Sequence, residues 1–246
     1  MTFADLHHGP RPLTLPNAWD VASGLLLADA GFAAIGTTSL GVTAAAGLPD
    51  GTGTSPDLTM GLARALVGRL AVPLTVDLEG GYSDDPGAVA ALAAELADLG
   101  VAGINLEDAT RPVEVHAAII RAVAEAAPAL FINARTDTYW LDDGHRDETI
   151  PRLFAYRDAG ASGVFVPGLS EPGEIAAVAE QVGLPLNVLW QAGIETTPGI
   201  ARISTGSAIY RHALGAALAV ADCARTGETP ATTAVSYPQL QRRLGI

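Results

Sequence analysis

The sequence predicts an α/β fold, a (β/α)8 barrel of TIM type that runs as a single domain over residues 1–246. Three observations carry this expectation. Eight short apolar runs alternate with longer amphipathic runs rich in Ala and Leu, the pattern of repeated strand–helix units. Most of the short runs are continuously apolar rather than alternating, as strands are when both of their faces are covered. Polar residues gather at the C-terminal ends of the runs, and that is the end where barrel enzymes build their active sites.

The elements follow in order. PLTLPN (12–17) is the first candidate strand, closed by Asn17 and Trp19, and WDVASGLLLADAG (19–31) has a helical period and ends in Gly, the usual residue just past a helix. AAIGTT (33–38) closes on Thr37, Thr38 and Ser39. GLPDGTGTSPDLT (47–59), which carries Asp50, is too long and polar for a plain connection and reads as a functional loop or lid. PLTVDLE (73–79) presents Asp77 and Glu79. DPGAVAALAAELADLG (85–100) then opens a helix, with Asp84 and Asp85 placed to suit its N-terminal dipole. AGINLED (102–108) ends in Glu107 and Asp108 and leads into the helical RPVEVHAAIIRAVAEAAP (111–128). LFINART (130–136) brings Asn133 and Arg135, with Asp137 just beyond, and TIPRLFAYRDAG (149–160) is its helix. SGVFVPG (162–168), LPLNVLW (184–190, with Asn187) and ARISTG (201–206) complete the eight. ALAVADCARTG (217–227) reads as a helix containing the single cysteine, Cys223.

Composition narrows the function. About half of the chain is hydrophobic and 17% is charged, which suits a packed globular protein. The net charge of −13 repels phosphate backbones and argues against nucleic acid as a partner. No apolar stretch reaches the ~18 residues of a membrane span, and MTFADLHHGPRP has no basic region followed by an apolar core. The expectation is a cytoplasmic protein with no membrane partner. One cysteine allows no internal disulfide. All 14 basic residues are Arg, so neither a Schiff-base lysine nor a lysine-dependent phosphate loop is available. The five histidines stand away from the strand ends, with His7 and His8 in the N-terminal tail and His116 within a helix.

Asp77, Glu79 and Glu107 fall on adjacent strands, and residues i and i+2 of a strand point the same way. Three converging carboxylates repel one another unless a cation sits among them, and an all-oxygen set favours Mg2+ or Mn2+. Taken singly, each is as consistent with solvating a loop or capping a helix. Arg135 is placed either to clamp a carboxylate or phosphoryl group or to pair with these acids. IGTTSLG offers hydroxyls and successive backbone N–H groups as a cradle for a substrate carboxylate, although an ordinary turn has the same composition.

Four segments, GTTSLGVTAAAGLPDG, VDLEGGY, GINLEDA and NARTD, occur in this order at barrel spacing. With them the chain resembles the isocitrate lyase/phosphoenolpyruvate mutase superfamily, from LPNAW through NVLW. The resemblance implies a barrel whose last helix is often exchanged between subunits, giving homodimers or homotetramers. It implies Mg2+ held largely through water by Asp50, Asp77, Glu79 and Glu107. It also implies small anionic 2-oxo acid or enolpyruvate-type substrates, with Arg135 helping to hold an enolate and its carboxylate. Thr37, Thr38 and Ser39 match the segment that binds that carboxylate, and Trp19 and Asn187 match pocket-lining positions. Arg135 and Asp50 are the candidate catalytic residues, with Tyr82 or a water as other carriers of the proton.

Two departures stand out. Glu79 occupies a position where many members have Asp. More consequentially, the lyases carry a long loop after this LED segment, with a catalytic Cys among basic residues, whereas LEDATRPVEVHAAII passes almost directly from strand to helix. Cleavage of isocitrate or methylisocitrate by that mechanism is therefore not expected. The leading expectation is phosphonomutase-like or oxo-acid lyase or hydrolase chemistry. Its alternative is a vestigial barrel that binds a small dicarboxylate without turning it over, and a metal-dependent aldolase is a third reading.

Overall fold

Pro16 divides the first predicted strand in two. The structure, a computed structural model, describes residues 2–53, 55–141 and 145–245. In it β1 (Leu13–Leu15) and β2 (Asn17–Ala18) flank this proline. There follow β3 (Ile35–Thr37), β4 (Leu74–Asp77), β5 (Gly103–Glu107), β6 (Phe131–Arg135), β7 (Gly163–Phe165), β8 (Leu186–Leu189) and β9 (Ile200–Ser204). All pairings are parallel, in the order β1-β9-β8-β7-β6-β5-β4-β3-β2. The two halves of the first strand therefore close the barrel, β1 against β9 and β2 against β3. Pro16 has no N–H to give to a ladder, but its carbonyl accepts a 2.9 Å hydrogen bond from Gly36 N–H. Nine strand segments thus make the eight predicted positions.

The helices are α1 (Val21–Asp29), α2 (Ser39–Ala45), α3 (Pro56–Leu66), α4 (Pro86–Leu99), α5 (Val113–Ala126), α6 (Thr149–Asp158), α7 (Pro172–Val182), α8 (Ala208–Thr226) and α9 (Tyr237–Leu244). Local chemistry starts and stops them. Asp20 and Ser23 form a reciprocal capping box on α1. Asp85 caps α4, accepting from Gly87 N–H at 3.0 Å, with Pro86 in the first turn. The predicted loop 47–59 is shorter than its composition suggested, because α3 begins at Pro56; its Thr54 lies outside the described residues. After β8 the repeat carries only a 3-10 turn, Ile194–Thr196, in place of a helix. Among the described residues no helix is long and apolar enough to cross a membrane.

Most of the core lies between the strands and the surrounding helices, where Leu66, Val76, Leu96, Ile104, Ile120 and Val164 are fully buried. Each such side chain stabilises the fold by about 1.5–3 kcal/mol. A second cluster, of Phe3, Leu13, Leu15, Ala34 and Phe131, fills the N-terminal end of the barrel. Gly103 and Gly163 make room for it, since a Cβ at either would fall 2.8 Å from the ring of Phe3 or Phe131. The N-terminal segment is therefore no solvent tail. Its turn Asp5–His8 seats a buried His7 whose ring stacks on Phe131 at 4.2 Å. Further along the axis the interior turns polar, with Asn105, Asn133, Asn187, Arg202 and Ser204 all buried.

Candidate active site

A small cavity of about 80 Å3 opens at the carboxyl ends of the strands. It is lined by Asn17, Thr38, Ser39, Asp50 and Asp77 and by Arg135, Trp140, Phe165 and Leu189. Asp77 closes β4 and is held from two sides. Its backbone N–H donates to Thr37 Oγ1 at 2.9 Å, and its Oδ2 accepts from Ser39 N–H at 3.0 Å. Ser39 is the first residue of α2, so Asp77 sits at the positive end of a helix. Asn17 ties the seam of the barrel: Nδ2 donates to the Thr37 carbonyl at 2.7 Å, while Oδ1 accepts from Gly206 N–H at 2.9 Å and Thr205 Oγ1 at 3.2 Å. Asp50 arrives on the loop after α2 and is hydrogen-bonded by the Ser39 side chain. Burial, reinforced by the Asp77 charge, raises its pKa.

Arg135 ends β6 within a cage of acids. Nη1 pairs with Glu107 Oε2 at 2.8 Å, and Nε donates to Asp137 Oδ1 at 2.6 Å. The guanidinium lies 5.7 Å from the centroid of the Phe165 ring. Burial works against its charge, but Glu107 and Asp137 outweigh burial and hold it protonated. Burial lifts the Glu107 carboxyl to about 8 against the pull of Arg135, and Asp137, Asp77 and Asp50 push in the same upward direction.

Glu79 does not share the Asp77 face. The strand stops at Asp77, and Glu79 has a left-handed backbone, φ +50°, so the period-2 expectation does not reach it. Its carboxylate turns to the loop, accepting from Ser55 Oγ at 2.9 Å and Gly53 N–H at 3.1 Å. Burial raises its pKa as well. Glu79 and Glu107 line a neighbouring cavity of about 330 Å3 together with Tyr82 and Arg111. Among the described residues no group of three or more His, Cys, Asp or Glu side chains is arranged to hold an ion directly. The four acids are nevertheless all oxygen donors, and at a distance the charge of Asp77 raises the proton affinity of Asp50, and both raise that of Glu79. That arrangement suits a hard cation held partly through water better than a closed cage.

Three expected substrate contacts stand one layer back. Trp19 packs edge-to-face on Tyr210 at 5.4 Å. Thr37 supports Asp77 from behind. Asn187 lies deeper in the barrel, where its Oδ1 accepts from Ser204 Oγ at 3.1 Å. The cavity also contains Asn105 and Ser204, which the sequence reading did not single out. Asn105 precedes Glu107 by two on the same strand, so the period-2 rule could have found it.

The turn after β5 is pinned from beneath. Asp108 is fully buried and accepts from Tyr156 Oη at 2.7 Å, Thr110 N–H at 3.0 Å, Asp137 N–H at 3.1 Å and Arg152 Nη1 at 3.3 Å. Ala109 and Thr110 take left-handed backbones, φ +45° and +58°, a strained geometry that persists because its surroundings over-determine it. Arg111 then folds back against Gly80 and pairs with Asp84 at 3.2 Å.

Comparison with known proteins bears on the family and the fold. The family model for phosphoenolpyruvate phosphomutase matches residues 3–224. An uncharacterized protein of Mycobacterium tuberculosis strain H37Rv is 42% identical over 254 residues, covering 99% of this chain and 96% of that protein. The 2-methylisocitrate lyase of Bacillus subtilis is 34% identical over 198 residues, covering 75% of this chain and 64% of the lyase. A protein of Burkholderia cenocepacia J2315, described as a lyase/mutase, superposes with a TM-score of 0.88 at 36% identity, covering 100% of this chain and 95% of that one. Phosphonopyruvate hydrolase, solved with oxalate and Mg2+, superposes with a TM-score of 0.84, covering 100% of this chain and 95% of that one. Its identity of 21% makes this a likeness of fold alone. The matched length and the identity to these relatives place this chain in the phosphoenolpyruvate phosphomutase family, within the phosphoenolpyruvate mutase/isocitrate lyase superfamily of enzymes.

Proposed function

We propose that the chain is a Mg2+- or Mn2+-dependent enzyme acting on a small 2-oxo acid or enolpyruvate-type substrate, passing through an enolate to cleave or form a C–C or P–C bond. One observation carries this reading: a single cavity lined by Asp50, Asp77 and Arg135 together. Asp77 and Asp50, with Glu79 and Glu107 behind them, are the residues that would hold the metal. The ion would supply Lewis acidity at a substrate oxygen. Glu107 and Asp137 occupy two nitrogens of Arg135 and fix its plane, which leaves Nη2 for a substrate carboxylate. Thr38, just before α2 and in the cavity lining, offers that carboxylate a hydroxyl. Asp50, on the loop beside Asp77 in the same cavity, is the candidate to move a proton at the reacting carbon.

The pinned turn after β5 favours a second reading. A barrel without a mobile loop there could retain ligand binding and lack turnover. The same first experiment bears on both readings. Oxalate is a planar mimic of the pyruvate enolate. Calorimetric titration is expected to show oxalate binding that requires Mg2+ and is lost in Asp77→Ala. Binding that ignores the metal, or survives Asp77→Ala, would refute the enolate reading. Binding without turnover of any 2-oxo acid would favour the binding barrel.

A further inference from the structure

Arg202 is the largest side chain wholly removed from solvent in this protein. It sits on β9, directly across from Asn187 of β8. Its Nε donates to Ser204 Oγ at 3.0 Å and its Nη2 to Asn105 Oδ1 at 3.2 Å, while Nη1 has no partner among the described residues. Ser204 and Asn105 are both cavity residues, so the guanidinium lies directly beneath the cavity floor. Among the described residues the one acid acting on it is Asp77, and at no ion-pairing distance. Barrel interiors are ordinarily packed with branched apolar side chains. A buried cation without a paired carboxylate is costly to the fold.

The hydrogen bonds do not account for its presence. Asn105 Oδ1 also accepts from Asn133 Nδ2 at 2.7 Å, and Ser204 Oγ donates to Asn187 Oδ1 at 3.1 Å. Removing the guanidinium would leave neither Asn105 nor Ser204 without a partner. What the guanidinium alone contributes is charge. Burial pulls its pKa downward, yet a guanidinium keeps its proton at neutral pH. In this low-dielectric interior its field reaches the cavity little weakened by water.

We propose that Arg202 is a positioning residue whose unpaired positive charge, held under Asn105 and Ser204, gives the cavity floor its affinity for a small anion. This rests on the reading that the cavity takes a small carboxylate. It assigns the anion-attracting charge to two arginines, Arg135 at the mouth and Arg202 below. Arg135 is already matched by Glu107 and Asp137, so Arg202 is the cation left for the ligand to balance. A stability penalty in the empty protein is thereby exchanged for affinity.

The test compares the full chain with Arg202→Met and Arg202→Lys, using thermal unfolding without ligand and oxalate titration in Mg2+. Arg202→Met is expected to melt at or above the wild-type temperature and to bind oxalate at least about tenfold more weakly, while Arg202→Lys recovers most of the affinity. If Arg202→Met does not fold, Arg202→Gln keeps a polar side chain at the site without the charge and takes its place. Unchanged oxalate affinity in the uncharged variant would overturn the proposal and leave the enolate reading standing. So would equal losses in the Met and Lys variants, which would make the role one of shape. No oxalate binding by the wild-type chain would sink the enolate reading and this inference with it.

Discussion

Asp108 and Glu107 are neighbours in sequence and opposites in chemistry. Both are acids at the end of β5, Asp108 fully buried and Glu107 largely so, but Asp108 accepts four hydrogen bonds and Glu107 shares one arginine with a competing carboxylate. Burial would raise both. In Asp108 the hydrogen bonds from Tyr156 and from the backbone of Thr110 and Asp137 more than offset burial, and its pKa falls; in Glu107 burial prevails. A depressed carboxylate contributes stability that is present above its unfolded pKa of 3.8 and is lost only as pH falls below that value. Asp108 is therefore a structural lock that stays ionised across the working range. Tyr156→Phe removes its shortest hydrogen bond, 2.7 Å from a fully buried oxygen. The substitution is expected to cost about 1–3 kcal/mol, read from the urea midpoint, with oxalate affinity unchanged. A loss of binding at unchanged stability would instead make the lock part of the site.

At the scale of elements, the N-terminal segment behaves as a plug. The turn Asp5–His8 brings His7 against Phe131, with Nδ1 3.0 Å from the Phe3 carbonyl and Nε2 without a partner among the described residues. Burial, and then the charge of Arg202, lowers its pKa from 6.5 to about 4. The unfolded chain therefore takes up the proton first. His7 supports the fold fully above pH 6.5, and that support is lost as pH falls toward about 4, at about 1.4 kcal/mol per pH unit. Melting temperature should decline between pH 6.5 and 4.5, and His7→Phe should shallow that decline. An identical slope in the variant would show that the plug opens before the barrel does. This plug was not legible in the sequence, because two histidines beside Gly9 and Pro10 resemble a solvated tail. The strands were legible, since a continuous apolar run between turn residues has few other meanings in a repeating pattern. So was the placement of Asp77, Arg135, Thr38 and Ser39 at one end of the barrel. The break at Pro16, the missing helix after β8 and the reversal at Glu79 were not, because each depends on which backbone groups the neighbouring strand offers. The polar interior escaped for a related reason: alternation does not say which face of a barrel strand points inward, so Arg202 read as an ordinary strand residue.

At the scale of the molecule, α8 is the element the barrel does not explain. It runs for 19 residues, and Tyr210 alone of them is buried. Leu214 is 49% exposed, Leu218 74% and Val220 43%, and further along the chain Val235, before α9, and Tyr237, its first residue, are 50% and 76% exposed. In proteins most helical stability comes from packing an apolar face rather than from intrinsic propensity, and an amphipathic helix is normally stabilised by burying that face. The C-terminal α9 does not cover it, since α9 packs on α1, with Arg243 paired to Asp29 at 2.8 Å. A net charge of −13 opposes indiscriminate association, so a partner for α8 must match it in shape and apolar surface. A second copy of the chain meets that demand through symmetry. We expect light scattering to report a multiple of the 25.1 kDa protomer mass, with Leu218→Glu shifting the protein toward the protomer and lowering its helical circular dichroism. Oxalate binding should survive that shift, because Asp50, Asp77 and Arg135 come from the same chain. A wild-type protein that is monomeric over the micromolar range would refute this assembly. In that case the helix would have to draw its stability from its own side-chain pairs, such as Arg225 with Asp222, which on a surface are worth a few tenths of a kcal/mol each, about 0.3–0.5.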